Sequence, residues 1–319
     1  MLGLGNSIPG FDFIESASLL LDKSFAAGPA AAYSLRRVSS SYSGPAVQIR
    51  RASDNVEVNV NFDSDGVVSL NSTISNVTEE TSGSFTNLTT SAKTLGEFVA
   101  NASYTDADSL GSTDSALVQN WYDQSGNSND AIQSTAGSQP KIVSNGSLVT
   151  ENGKPALEFT SDFFLTNNEL NQSSATNHFY IVNKTQAGTS GNNYFSESSA
   201  IDGNGSPAIT QQNTGDNYYW RAASSNIFLG NLTTIKGNQA MFTAEVSNTT
   251  SKVYFQGSEL ASVSSTGVDA ITDKLYIGLR WTGADSFKGT YQEFVLYNSD
   301  QSSNRTAIEA EINTFYSIF

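Results

Sequence analysis

Apolar and polar residues alternate along much of the chain after residue 32. Val56, Val58 and Val60 are separated by single polar residues, which is the period of a half-buried strand. Short runs rich in β-branched and aromatic residues, divided by Gly, Asn, Asp and Ser turns, predict strands at 117–122, 141–143, 156–159, 179–183, 194–196, 218–222, 240–246, 252–255, 274–281 and 290–297. This spacing predicts an all-β sandwich.

Helical periodicity is confined to two places. Ile308, Ile312 and Phe315 recur at i, i+4 and i+7, so one apolar face predicts a C-terminal helix over 300–316. Ser299 and Asp300 are its N-cap candidates. A shorter helix is predicted at 94–99, near the end of a loop-rich insertion at 65–115 that is dominated by Ser, Thr and Asn.

The N-terminus differs from the rest of the chain. Residues 1–31 predict an apolar attachment arm and a small-residue linker, and the sandwich is expected to occupy residues 32–319. Exposed apolar surface marks interaction sites, so we expect the arm to dock on a neighbouring protein, although packing on its own sandwich stays open. The apolar residues of the arm are Leu2, Leu4, Ile8, Phe11, Phe13 and Ile14.

Charge and residue usage exclude several classes of function. The 319 residues carry a net charge of −15, which repels nucleic acid. The absence of cysteine excludes disulfides and thiol catalysis. The single histidine, His178, lies in a strand-like run and is expected to be structural unless it is itself a catalytic base. No run reaches the ~18 apolar residues of a membrane span, and the N-terminus lacks the positive region of a secretion signal.

A closely specified turn follows Trp121, which we expect to anchor the core. The turn consists of Asp123, Gln124, Ser125, Gly126 and Asn127. Gly and Asn tolerate left-handed backbone, and Asx side chains bond nearby amides, so this composition indicates a structural turn.

Two acidic loops are candidates for Ca²⁺, the only cofactor that the sequence suggests. Asp63 and Asp65 precede a glycine, and Asp106 and Asp108 lie in a second loop of the same kind. Hard cations prefer oxygen ligands at alternate positions around such a turn. Neither loop completes an EF-hand, so plain acidic turns are the alternative.

The turn also carries a resemblance to known proteins. Residues 122–127, Tyr-Asp-Gln-Ser-Gly-Asn, together with blocks at 33–55 and 149–156, resemble the catalytic sandwich of fungal B-type arabinofuranosidases. Residues 252–260 and 276–298 resemble the last strands of laminin-G domains. The set is most similar to laminin-G/concanavalin-like domains of tailed-phage structural proteins, many of them marine. The resemblance implies a concanavalin/laminin-G-like jelly-roll β-sandwich with an N-terminal arm and one C-terminal helix.

The resemblance does not extend to the acids of the enzymes. Their acid follows an Ile-Gly-Gly strand end, whose position here falls near Trp281 or Thr282, and Asp285 comes later. The candidate strand for the nucleophile, 218–223, contains no Glu. A retaining glycosidase needs two carboxyl groups, so we expect no enzymatic activity. A pair assembled from distant loops, such as Asp216 with Asp285, stays open.

The resemblance therefore implies a virion structural protein of a tailed phage. A fibre, spike or capsid-surface appendage would be assembled in the host cytoplasm and exposed on the virion surface. Its expected partners are other virion proteins through the arm, further copies of itself and cell-surface glycans, without nucleic acid. The glycan-binding candidates are Tyr218, Tyr219, Trp220, Arg280, Trp281 and Asp285. A free carbohydrate-binding module and an arabinofuranosidase-like hydrolase are the alternatives.

Overall fold

The computed structural model describes most of the sandwich and none of the first eighteen residues. The described residues are 19–78, 93–100, 114–170, 176–186, 193–197, 208–212, 217–222, 225–231, 237–247, 249–264, 274–279 and 286–319. The six apolar residues of the predicted attachment arm therefore lie outside the described part of the chain.

Short antiparallel strands form almost all of the described structure. The strands are β1 (Ala31–Ser34), β2 (Val47–Arg51), β3 (Glu57–Val60), β4 (Ile74–Thr78), β5 (Ala116–Trp121), β6 (Ala131–Ile132), β7 (Lys141–Ser144), β8 (Ser147–Leu148), β9 (Thr150–Glu151), β10 (Lys154–Pro155), β11 (Leu157–Phe159), β12 (Phe164–Thr166), β13 (Asn177–Thr185), β14 (Asn193–Glu197), β15 (Ala208–Gln212), β16 (Asn217–Ala222), β17 (Ser225–Asn231), β18 (Gln239–Val246), β19 (Thr250–Phe255), β20 (Ser258–Ser264), β21 (Leu275–Ile277) and β22 (Gly289–Tyr297). The helices are α1 (Leu95–Ala100) and α2 (Arg305–Tyr316), with single 3-10 turns at Leu20–Asp22 and Ala136–Ser138. Each predicted strand position holds a strand, and the short helix predicted at 94–99 is confirmed.

Two antiparallel layers make up the sandwich. The helix-side sheet has the order β20-β19-β18-β13-β22-β1. The opposite sheet has the order β4-β3-β2-β5-β6-β12-β21-β14-β15-β16-β17. β11 and β7 connect the layers, because β11 pairs with both β22 and β7, and β7 pairs with β5. The expected all-β, concanavalin-like sandwich is confirmed.

The main core lies between the two sheets. Phe179 and Ile181 of β13 face it from one side, and Trp121 of β5 faces it from the other. Trp121 is fully buried and packs at 5.7 Å from Tyr33 and 6.1 Å from Phe164, measured between ring centroids. Trp121 is thus the core anchor that the sequence predicts.

Helix α2 covers the other face of the helix-side sheet. Its Ile308 and Ile312 pack against Tyr180 and Val295, so β13 and β22 are buried on both faces. The helix begins at Arg305 instead of residue 300, because the Asp300 carboxylate accepts the amide of Ser302 in a preceding turn. The predicted N-caps Ser299 and Asp300 are therefore wrong; Asn304 holds that position without a side-chain cap. No described helix combines the length and apolar character that crossing a membrane requires.

A buried carboxylate ties α2 to the sheet. Glu293 of β22 is fully buried and accepts hydrogen bonds from Nε and Nη2 of Arg36 at 2.8 and 3.0 Å. The hydroxyls of Ser34 and Tyr316 donate to the same carboxylate at 2.8 and 3.2 Å. The bidentate geometry pairs both charges inside the protein, where an unpaired charge would be costly.

The end of the predicted arm and linker packs on the sandwich itself. Leu20 and Ala26 are fully buried in the cluster beneath α2, and the Leu21 amide donates to the carbonyl of Val38 at 2.8 Å. β1 already begins at Ala31, two residues before the pattern of the sequence turns to strand. Residues 19–31 therefore belong structurally to the sandwich.

The turn after Trp121 fastens β1 to β5. The Asp123 carboxylate accepts the amides of Ala32 (2.8 Å), Ser125 (2.8 Å) and Asn129 (3.0 Å). The Gln124 side chain accepts a hydrogen bond from the Val38 amide and donates to the carbonyls of Ser34, the last residue of β1, and Arg36. Gly126 has φ of +91°, and the side-chain amide of Asn127 donates to the carbonyl of Pro29 at 2.9 Å. The turn thus joins the segments around β1 to the end of β5 through hydrogen bonds.

Candidate functional site

A small hairpin, β9–β10, stands at the C-terminal end of α2. Its turn is Asn152-Gly153, with φ of +50° and +71°, which is the geometry that this dipeptide favours in two-residue hairpins. The Asn152 side-chain amide donates to the carbonyl of Tyr316 at 3.2 Å. The Lys154 ammonium lies 4.3 Å from the ring centre of Phe315. The hairpin is thereby attached to the last turn of the helix.

Gln292 of β22 anchors the β9–β10 hairpin through hydrogen bonds to its backbone. β22 contains one extra residue opposite β13, because Val182 pairs with Glu293 and Asn183 pairs with Tyr291. Such a bulge re-aims the side chain of the inserted residue. The fully buried Gln292 amide donates to the carbonyls of Glu151, Lys154 and Pro155 at 3.2, 3.4 and 3.2 Å.

A cleft of about 470 Å³ opens on one side of the hairpin, and we call it the amide cleft. The polar residues that line it are Glu151, Asn152, Asn238, Gln239, Gln256 and Ser317, and Phe255 and Ile318 add apolar surface. Gln256, which also lines the cleft, forms a second tight turn with Gly257, with φ of +47° and +77°. Residues of two short turns of defined geometry thus line the cleft.

A second cleft of about 250 Å³ lies on the other side of Glu151, and we call it the lysine cleft. Lys184 and Glu151 form an ion pair there at 2.9 Å, with 32% and 15% of their side chains exposed. Glu158, Thr160, Gln186 and Thr290 complete the polar lining. At the edge of the cleft, Gly289 has φ of +145°, and a Cβ there would lie 1.9 Å from the Lys184 carbonyl oxygen.

The two clefts provide both donors and acceptors for a neutral polar ligand. Side-chain amides carry two donors and an acceptor, and Glu151, which lines both clefts and pairs with Lys184, adds a carboxylate. The Oε1 atom of Gln239 and the Oγ1 atom of Thr290 are buried and have no hydrogen-bond partner within the described part of the chain. Mixed polar groups beside one aromatic ring are typical of a site that orients a small polar molecule.

The glycan-binding residues predicted from the sequence are not among the described residues that line the two clefts. Tyr218, Tyr219 and Trp220 are on β16, which pairs with β15 and β17, and only the backbone of this strand is described. Arg280, Trp281 and Asp285 lie outside the described residues. Their role in binding stays a prediction.

The calcium prediction also stays untested. The Asp63 carboxylate accepts the amides of Asp65 and Val67 at 2.9 and 3.1 Å, which closes an ordinary Asx turn. Asp106 and Asp108 lie outside the described residues. Within the described ranges, no three acidic or histidine side chains come together as a metal site would require.

Sequence reasoning missed both clefts. The amide cleft combines the hairpin, the start of β18, the β19–β20 turn and the end of α2, which are far apart in the chain. One local signal was available, because Asn152-Gly153 is a strong hairpin dipeptide. Nothing local indicated that this hairpin meets the C-terminus.

Comparison with known proteins gives the fold. No family model and no curated protein matches the chain. Among solved structures, a glutamate-to-glutamine mutant of GH54 α-L-arabinofuranosidase soaked with 4-nitrophenyl α-L-arabinofuranoside superposes with a TM-score of 0.60 at 13% identity. The enzyme soaked with a cyclic sulfate inhibitor gives 0.58 at 14% identity. An arabinofuranosidase complexed with arabinofuranosyl-α-1,2-xylobiose gives 0.56 at 16% identity.

The chain is a concanavalin-like β-sandwich. Each of these superpositions covers 89% of this chain and 62% of the arabinofuranosidase chain. The chain thus spans less than two thirds of the length of the enzymes that it resembles. At this level of identity the likeness shows the fold alone, and it agrees with the arabinofuranosidase-like turn at 122–127.

Proposed function

We propose that the protein is a non-enzymatic carbohydrate-binding sandwich, with the amide cleft as its glycan site. The observation that carries the proposal is the set of amides and one carboxylate, Glu151, that lines the cleft beside Phe255, with Asn152 and Gln256 on tight turns. Sugar hydroxyls both donate and accept hydrogen bonds, so they match this lining. The arabinofuranosidases of the same fold act on sugars, which supports the same ligand class here.

A glycan array probed with the full chain tests the proposal. We expect binding to neutral oligosaccharides, reduced in Glu151→Gln and in Asn238→Ala. Glu311→Gln and Asn71→Ala are the matched controls, because both side chains lie outside the cleft. Hits that persist unchanged in Glu151→Gln and Asn238→Ala, or an array without hits, would count against the amide cleft.

The aromatic residues predicted from the sequence define a competing location on the same sandwich. Loss of binding in Trp220→Ala and Trp281→Ala, with Glu151→Gln unaffected, would move the glycan site to that region. The converse pattern would favour the amide cleft. The two locations are therefore separable with four variants and one array.

The non-enzymatic part of the proposal is supported by residues at the expected acid positions. β16 contains no Asp or Glu, and Trp281 and Thr282 stand where the resemblance to the enzymes places the acid. We expect no release of 4-nitrophenol from 4-nitrophenyl α-L-arabinofuranoside above the uncatalysed rate. Release that disappears in Asp285→Asn would establish the hydrolase alternative instead.

We further propose that the sandwich is an appendage of a tailed-phage virion. The support is the resemblance of the sequence to phage structural proteins and the apolar character of residues 1–18. Because Leu20 and Ala26 are buried beneath α2, a clean test deletes residues 2–18 only. Loss of the protein from purified particles, with the sandwich still folded by circular dichroism, is the expected result. Normal incorporation would refute the docking role of the arm.

A further inference from the structure

A third pocket lies at the opposite end of α2 from the hairpin. It has a volume of about 340 Å³, within the ~300–1,000 Å³ range of small-molecule sites. We call it the histidine pocket; its lining includes His178, Glu245, Thr249, Thr250, Lys252 and Asp300. These residues come from the start of β13, the end of β18, the start of β19 and the segment before α2.

His178 and Glu245 are direct neighbours in this pocket. They face each other across the β13–β18 ladder, where directly opposed side chains have Cβ atoms about 4.5–5.5 Å apart. His178 is 1% exposed and Glu245 is 8% exposed. Both are therefore buried polar groups that need partners to offset the loss of water.

Each of the two side chains keeps one atom without a hydrogen bond. The Gln301 amide donates to Nε2 of His178 at 3.3 Å, and Oδ1 of Asp300 lies 3.5 Å from the same nitrogen. With Nε2 accepting from the Gln301 amide, the proton of the neutral imidazole is on Nδ1. Nδ1 has no acceptor among the described residues. Oε1 of Glu245 likewise has no hydrogen-bond donor there; Arg305 Nε lies 3.7 Å away as an ion pair.

The two atoms without partners, Nδ1 of His178 and Oε1 of Glu245, are one donor and one acceptor on adjacent strands. The other Glu245 oxygen, Oε2, accepts the Tyr254 hydroxyl at 3.3 Å, and Arg305 stacks on the Tyr254 ring at 3.7 Å. The terminal torsion of a glutamate is broad and two-fold, so rotation exchanges its two oxygens at low cost. A group that both accepts and donates a hydrogen bond satisfies such a pair, and a hydroxyl does so with a single oxygen.

We propose that the histidine pocket binds a hydroxyl group of a sugar, which accepts a hydrogen bond from His178 Nδ1 and donates one to the Glu245 carboxylate. The sugar class of the ligand rests on the function proposed above, whereas the position of the site does not. The pocket is a second carbohydrate subsite, separated from the amide cleft by the length of α2. A helix of 12 residues spans roughly 18 Å, so one monosaccharide cannot occupy both.

The single histidine of the chain makes the test direct. Imidazole ¹⁵N NMR spectra of the full chain contain signals of His178 alone. Titration with L-arabinose, D-xylose, D-galactose and D-glucose to high millimolar concentration should shift these signals saturably for at least one sugar. A wild-type spectrum with the proton on Nε2 would overturn the proposal, and so would the absence of a saturable shift with all four sugars.

Substitutions show which residues the shift of the His178 signals depends on. Glu245→Gln keeps the shape of the side chain and should weaken the responding sugar about tenfold, because a charge-assisted hydrogen bond is lost. Glu311→Gln should leave the response unchanged. A shift of equal affinity in Glu245→Gln and wild type would overturn the assignment.

The same NMR titration distinguishes binding in the histidine pocket from binding in the amide cleft. A His178 response that survives in Glu151→Gln supports the histidine pocket, whatever the array shows for the amide cleft. A response lost in Glu151→Gln overturns the proposal, because the imidazole would then be reporting binding at the other end of α2.

Discussion

At the scale of single residues, buried side chains with many backbone partners specify this fold. Asp123 is 3% exposed and its carboxylate binds amides of β1 and of its own turn. The sequence predicted a structural turn because Gly126 and Asn127 accompany Asp123. It could not predict that the partner is Ala32, since that contact spans 91 residues.

The Asp123→Ala variant should therefore be strongly destabilised. It leaves buried amides without an acceptor, and we expect a loss on the order of 3 kcal/mol in the free energy of unfolding, measured with urea. Asp63→Ala is the matched control, because Asp63 closes an exposed turn with only two amides. We expect about 1 kcal/mol there. Equal losses would contradict the role assigned to Asp123.

His178 should make stability depend on pH. Burial lowers its pKa from 6.5 to about 4; Asp300 opposes this shift and Arg305 adds to it. Burial also raises the pKa of Glu245, the facing carboxyl. Below pH 6.5 the unfolded chain binds a proton at His178 that the folded chain does not, so the stability contributed by neutral His178 declines from pH 6.5 to about 4.

The expected loss over this window is at most about 3 kcal/mol. Urea unfolding at intervals between pH 7 and pH 4 measures it, with His178→Gln as the comparison that lacks the titrating group. The difference between wild type and variant should shrink as pH falls through the window. Parallel curves for the two proteins would refute the buried neutral imidazole.

At the scale of elements, the sequence predicted that α2 exists but not where it begins, and it did not predict the position of the β9–β10 hairpin. The apolar positions Ile308 and Ile312 indicated α2, but its start was misjudged because Asp300 closes a separate turn. β13 carries apolar residues on both faces because α2 covers the second face. The alternation of apolar and polar positions therefore could not show that this strand is buried on both sides. The position of the hairpin depends on the bulge at Gln292, which leaves no pattern in the sequence.

Two glycines beside the clefts should respond very differently to substitution. Gly289→Ala places a Cβ 1.9 Å from the Lys184 carbonyl oxygen, so β13 and β22 must separate and we expect several kcal/mol of destabilisation. Gly153→Ala meets nothing within 4 Å and should lose only about 1 kcal/mol to its positive φ. Thermal unfolding of both variants measures the contrast. Similar melting temperatures would contradict the close approach at Gly289.

At the scale of the whole molecule, the spacing of the strands and the turn at 122–127 were enough to predict the concanavalin-like sandwich. The candidate site could not be predicted, because its clefts form between segments that only the tertiary structure brings together. Net charge also acts at this scale. With a net charge of −15 over 319 residues, the protein should repel polyanions.

The chain should therefore flow through heparin and DNA columns at low ionic strength. Its binding to a neutral glycan should change little between low and physiological salt, because no counterions are released. Retention on either column, or glycan affinity that falls steeply with salt, would show that a basic surface dominates recognition.

In our proposal, carbohydrate recognition by the amide cleft depends on Glu151. The most direct measurement is calorimetric titration of the best oligosaccharide from the array into wild type, Glu151→Gln and Glu311→Gln. We expect at least about tenfold weaker binding for Glu151→Gln and unchanged binding for Glu311→Gln, since a charged hydrogen bond contributes about 1.5–3 kcal/mol. Equal affinity of wild type and Glu151→Gln would contradict it.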